Sequence, residues 1–210
     1  AKTLEAPVGD NPVIMLDHAD NTGSGATQDT MEVIEEVLRQ GLEDVAVGAV
    51  WDPEAVKQMQ AAGIGNTITL ELGGRTDMPS INKKGEPLTV TGNVKTLTDG
   101  NWVVRGPMYT GVEVRLGDTA LLDTGNMEIV ITSLHHEPWD QGIFTSVGID
   151  PKFKKYLILK SRIHYRAGFA SIERETVTCD GVGVTTSDNS QLEFVNIRRP
   201  IYPLDLINEP

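Results

Sequence analysis

The chain has 210 residues, 39% of them hydrophobic, 23% charged and only 5% aromatic. That make-up fits an ordinary globular protein of one large or two small domains, with a core of Val, Ile, Leu and Ala. With 18 Lys and Arg against 30 Asp and Glu, the net charge of −12 excludes nucleic acid as the partner, because phosphate binding needs clustered cations.

A chain of this length hides roughly 70% of its unfolded surface, so it needs no staples. The dense basic run Lys152, Lys154, Lys155, Lys160 and Arg162 is interleaved with Tyr156, Leu157, Ile158 and Leu159 and reads as a strand with a basic approach. The single cysteine, Cys179, excludes internal disulfides and cysteine-based zinc knuckles, and reads as a small hydrophobe. No apolar run approaches the ~20 residues needed to cross a bilayer, so no membrane is expected. The opening Ala1-Lys2-Thr3-Leu4-Glu5-Ala6-Pro7 has neither the charged nor the apolar region of a signal peptide, and there is no initiator Met. The expectation is a cytoplasmic segment from inside a longer polypeptide.

In chain order, Val13–Leu16 is a short apolar run of the buried-strand kind. After the turn Asn21-Thr22-Gly23-Ser24-Gly25, helical spacing of Met31, Val33, Ile34, Val37 and Leu38 predicts a helix from Asp29 to Arg39, with Thr27 as N-cap and Gly41 as stop. Val45–Val50 is a second strand. Asp52-Pro53 starts a second helix, with proline in its favoured first position, and Gly63 closes it. Thr67–Leu72 makes a third strand before Gly73-Gly74. Such a β-α-β-α-β order predicts parallel pairing with right-handed crossovers.

From Pro87 to Thr132 the pattern changes to short alternating runs, Leu88–Val90, Asn101–Arg105, Val112–Leu116, Thr119–Leu122 and Ile129–Thr132, separated by Gly, Asp and Asn. These read as antiparallel hairpins. A short helix at Phe144–Val147, a strand at Tyr156–Leu159, a helical stretch from Arg162 to Ser171 and an extended Arg199–Pro203 complete the chain. The fold class is therefore α/β: one domain over 1–210, with a mixed sheet, an N-terminal βαβαβ unit and an antiparallel β-rich middle segment.

Three constellations carry chemistry. Asp17-His18-Ala19-Asp20-Asn21 falls at the carboxyl end of the first strand, the edge where open α/β sheets bind ligands. Carboxylates, an imidazole and an amide there can hold a metal, shuttle a proton or orient a partner; equally, Asp20 and Asn21 are good turn residues. Gly23-Ser24-Gly25 has the look of an anion loop but lacks the lysine of a P-loop, so nucleotide binding is the weakest reading. Lys160-Ser161-Arg162-Ile163-His164-Tyr165-Arg166 also follows a strand, and its cations can bind a substrate carboxylate or a developing oxyanion. If helical, it puts Arg162 and Arg166 on one face. His135-His136-Glu137 has no metal-motif spacing and reads as loop packing. With four histidines in all and no compact ligand motif, a complete zinc site within the chain is not expected, and no Gly-x-Ser-x-Gly elbow marks a serine nucleophile.

In their order along the chain, Asp17 to Gly25, Trp51 to Val56, Leu72-Gly73-Gly74, Lys160 to Ala167 and Arg198 to Asp205 together resemble the C-terminal region of the microcystinase C (MlrC) family. The resemblance implies the C-terminal part of a zinc-dependent peptidase or amidohydrolase acting on a linear peptide or small amide. It places the zinc in an N-terminal domain of the same polypeptide, with none held by this chain alone. It also implies catalytic contributions from Asp17, His18, Asp20 and His164, with Asn21, Lys160 and Arg166 touching substrate; the turn's own backbone amides, able to hold a carboxylate, add Gly23 and Gly25 to the expected substrate contacts. Where the family has glycine before Asp29 this chain has Gln28, and where it has phenylalanine this chain has Tyr165. The rival reading is a non-catalytic scaffold or ligand-binding module; assembly into homo-oligomers is left open.

Overall fold

The computed structural model describes residues 11–206; the opening heptapeptide read above for a signal sequence lies outside them. The elements are β1 (Val13–Asp17), α1 (Glu32–Arg39), β2 (Val45–Trp51), α2 (Pro53–Ala62), β3 (Thr67–Leu72), β4 (Leu88–Thr98), β5 (Asn101–Val103), β6 (Glu113–Arg115), β7 (Thr119–Asp123), β8 (Met127–Thr132), α3 (Gly142–Thr145), β9 (Tyr156–Leu159), α4 (Arg166–Phe169) and β10 (Glu175–Cys179). One mixed sheet runs in the order β10-β1-β9-β2-β8-β7-β4-β3, with β5 and β6 as a separate hairpin. Neighbours from β10 to β8 are parallel, and those from β8 to β3 antiparallel.

The apolar runs explain the central strands. β1 and β9 are buried at every residue, as strands covered on both faces must be. Period-two alternation splits them between two cores. Val13, Met15 and Ile158 face α1 and α2; Ile14, Leu16, Leu157 and Leu159 face Phe144 of α3 and Phe169 of α4.

Three sequence expectations are corrected here. First, β3 does not join the parallel set: it lies at the far edge, antiparallel to β4. Its Thr67, Thr69 and Glu71 are exposed while Leu70 and Leu72 are buried, an alternation that belongs to a sheet with one wet face. Second, α1 begins at Glu32, not Asp29, and Met31 rather than Thr27 precedes it without a side-chain cap. Asp29 instead accepts the N–H groups of Arg75 and Thr76 at 2.8 and 2.9 Å. Third, the Arg199–Pro203 stretch closes as a turn held by Asp205, which accepts from Arg199 Nε and Ile201 N, both at 2.6 Å. β10 went unrecognised, because Glu175-Thr176-Val177-Thr178-Cys179 is half polar and sits at the other sheet edge.

Asp52 joins two motifs. One oxygen caps α2 by accepting from Glu54 N and Ala55 N at 3.1 and 2.9 Å; the other takes Gly73 N at 3.0 Å and Arg75 Nε at 3.2 Å. At Gly74 φ is +55°, and a Cβ would come within 2.2 Å of the Glu86 backbone, so only glycine fits the turn that Asp52 holds. Asp52→Ala is expected to cost about 2–3 kcal/mol, about 1 for the cap and the rest for orphaning the Gly73 N–H. A urea midpoint for the variant that matched the parent's would show that the tie is dispensable.

Candidate functional site

β1 and β9 pair in register, Leu16 beside Leu159, so their carboxyl ends bring Asp17 and Lys160 side by side. The Lys160 ammonium, wholly buried, donates to Asp17 Oδ2 at 2.8 Å, Asp20 Oδ2 at 2.8 Å and the Thr30 carbonyl at 2.7 Å. Burial alone would pull this amine down, but the two carboxylates hold it above its ordinary value. Burial likewise pushes the Asp17 carboxyl up, against the pull of Lys160. The lysine therefore stays a cation, and all three of its hydrogens are committed inside the protein. None is left for the substrate carboxylate expected of it.

Asp20 is equally committed. Oδ1 accepts from Gln28 N and Thr27 Oγ1 at 2.7 and 3.1 Å, and Oδ2 from Thr30 N at 3.0 Å as well as from Lys160. It thus shapes the 20–30 loop. Asn21 accepts from Gly23 N at 3.0 Å and donates to Ser24 Oγ at 2.9 Å, the side-chain turn its residue type favours. Gln28 has φ +60°, the left-handed region that glycine adopts most readily. Its amide is gripped by Ala49 O at 3.3 Å and by His136 O and N at 3.0 and 2.9 Å, which offsets the strain.

A second group sits across the loop. Glu137, 4% exposed, accepts from Ser161 Oγ on Oε1 at 2.6 Å, and its Oε2 lies 2.8 Å from Nδ1 of His164. The imidazole is half exposed, and because a carboxylate only accepts, Nδ1 carries the hydrogen, which leaves Nε2 free to act as a base. Gly23 makes this packing feasible: a Cβ there would fall 1.9 Å from Glu137 Oε2. Gly25, at φ +92°, merely ends the turn and has open space beside it.

The predicted residues thus divide into three places. Asp17, Asp20 and Lys160 form one buried cluster. His164 is joined by Glu137, over the Asn21–Gly23 turn. Arg166 faces another cavity, and Arg162 does not share its face, donating to Ser187 Oγ at 2.9 Å. Sequence reading took Glu137 for loop packing and gave Ser161 and Thr30 no role of their own. Of the histidine pair before Glu137, His135 stacks on Trp51 at 4.4 Å. Burial among Trp102 and Trp139 pushes His136 down to about 4. Burial pushes the Cys179 thiol up to about 11, which removes it as a nucleophile at neutral pH.

Among the described residues no three metal-binding side chains come together. Several buried acceptors are nevertheless unpartnered, two of them in the first constellation. His18 Nδ1 lies 3.1 Å from the Cys179 carbonyl and so carries the hydrogen, which leaves Nε2 a bare lone pair; Asp17 Oδ1 is the other. An incomplete pair of acceptors does not make a metal site by itself.

Fold and site define a mixed α/β module with a charged cluster at its carboxyl strand ends. The family model described as MlrC C-terminus matches residues 15–196, and the chain belongs to that family. It is 29% identical over 195 residues to Microcystinase C of Sphingomonas sp, covering 92% of this chain and 36% of that protein. It also matches, with TM-score 0.83 and 26% identity, the crystal structure of a protein called "Putative metallopeptidase" from Mesorhizobium sp. BNC1, covering 100% of this chain and 41% of that one. The chain therefore spans well under half of these relatives. Among the described residues no helix is long and apolar enough to cross a membrane.

Proposed function

We propose that this chain is the C-terminal domain of a zinc-dependent peptidase or amidohydrolase. It would hydrolyse amide bonds of a linear peptide or small amide in a cleft shared with an N-terminal domain of the same polypeptide. The carrying observation is the Glu137–His164 pair, a buried carboxylate 2.8 Å from the inner nitrogen of a half-exposed imidazole. Support also comes from the family and from relatives whose names are those of a microcystinase and a metallopeptidase.

A zinc ion held by the rest of the polypeptide would polarise the scissile carbonyl and acidify a water. This chain's residues do the following. Glu137 holds His164 with its hydrogen on Nδ1, so Nε2 takes a proton from water and returns it to the leaving amide nitrogen. The Asn21–Gly25 turn lets substrate backbone pass close by. Asp17 and His18 are buried at the strand end and act on the cleft by holding the loops around it. Asp20 and Lys160 position these groups without touching substrate.

Glu137 is a positioning residue, and Glu137→Gln tests that role in the whole polypeptide. A neutral amide keeps the packing but no longer stabilises the imidazolium that forms as Nε2 takes its proton, so the base is weakened. The expected result is a kcat about 10²–10⁴ lower at nearly constant KM, with partial return in Glu137→Asp. A kcat within twofold of the parent's for Glu137→Gln would remove the pair from the mechanism.

A further inference from the structure

Beyond the Glu137 loop a cavity of about 1000 Å³ lies between the segment following β5, α3 and α4. Its walls are rich in donors that have no acceptor. Arg105 and Arg166 both line it, and among the described residues neither makes a side-chain hydrogen bond or an ion pair; Arg166 only lies over the Tyr165 ring. Trp102 Nε1 and Ser146 Oγ, also of the lining, are buried without a partner. The one acid of the wall, Asp140, is spent on the backbone: its oxygens accept from Gly106 N at 2.6 Å and Gly142 N at 2.7 Å.

That site is built. Trp102 packs so closely on Gly142 that a Cβ there would fall 2.2 Å from the indole, and Gly168 sits as tightly against the Trp139–Asp140 backbone. In a protein of net charge −12, two guanidiniums facing one cavity whose only carboxylate is occupied make a local positive well. Two exposed, unpaired cation forks are complementary to a carboxylate, which only accepts. The indole and the apolar Val103, Pro107 and Ala167 around it suit an aromatic or aliphatic body behind that carboxylate.

We propose that this cavity binds the free carboxylate, with its adjoining apolar side chain, of a peptide. Only the word peptide rests on the function proposed above; the anion recognition does not. Two links place the cavity next to the proton-transfer pair. Arg166 opens the helix that follows His164, and Asp140 follows Glu137 in the same loop.

The test is calorimetric titration of the whole polypeptide with 3-phenylpropionate, which has no bond to hydrolyse, and with 3-phenylpropionamide. The acid is expected to bind at least about tenfold tighter than the amide, and Arg105→Gln and Arg166→Gln each to weaken it about tenfold or more. Both arginines are exposed, so the variants fold. Equal affinity for acid and amide, or indifference to both arginine changes, would overturn the site. Competition by inorganic phosphate as strong as by the acid would overturn the peptide-carboxylate class. These readouts involve no turnover, so the site stands or falls separately from the Glu137–His164 mechanism.

Discussion

Lys160→Met is expected to destabilise the protein by about 3–5 kcal/mol at neutral pH, the cost of leaving buried charge without its partner. For a chain of this size that is roughly a 10 °C drop in melting temperature. Methionine fills much of the space of the lysine stem, so the loss reports charge rather than a cavity. Asp17 and Asp20 would then face each other in a dry site, and only Asp20 keeps other donors. The sign of the pH dependence follows from Asp17. Burial already raises its carboxyl in the folded protein, and losing the ammonium raises it further. The folded state then holds a proton that the unfolded state, near 3.9, has released. The variant therefore gains stability as pH falls through the folded pKa, and its deficit against the parent shrinks. Adding Asp17→Asn to Lys160→Met should recover part of the loss at neutral pH. Thermal melts at pH 7.5 and pH 5 decide it; a Lys160→Met melt within about 2 °C of the parent at pH 7.5 would show that the cluster is not the strut described here.

His164→Gln, made in the whole polypeptide, is expected to lower kcat by about 10²–10⁴ while leaving KM and the melting temperature nearly unchanged. Glutamine still donates to Glu137 but cannot shuttle a proton, so packing is kept and chemistry is lost. The half exposure of the ring keeps the structural cost small, about 1 kcal/mol even for His164→Ala, where Glu137 retains only Ser161. Because the ring reaches solvent, added imidazole should restore part of the activity of the alanine variant. Unchanged turnover in His164→Gln would move proton transfer elsewhere, with His18 the next imidazole to examine. A fall in activity matched by a fall in melting temperature would mark His164 as structural instead.

Local sequence decided a good part of this molecule. The apolar runs at Val13–Leu16, Val45–Val50 and Tyr156–Leu159 read as buried strands and Asp52-Pro53 as a helix start, and they fold so, because burial, proline geometry and capping act over a few neighbouring residues. The ordered motifs were enough to mark the family. Asp17, Lys160 and His164 were legible as strand-end polar groups for the same reason.

Partnership was decided only in three dimensions. That β9 inserts between β1 and β2, and that β3 turns to the antiparallel edge, depends on pairings between segments far apart in the chain. No local pattern records such pairing. Lys160 looked like a substrate cation until the register of β1 and β9 put it between two aspartates and used all its hydrogens. Glu137 looked like loop filling beside two histidines until Gly23 left room for its carboxylate to reach His164. A side chain's chemical type is written in the sequence, but whether its charge is spent inside or offered outside depends on which distant groups the fold brings within about 3 Å.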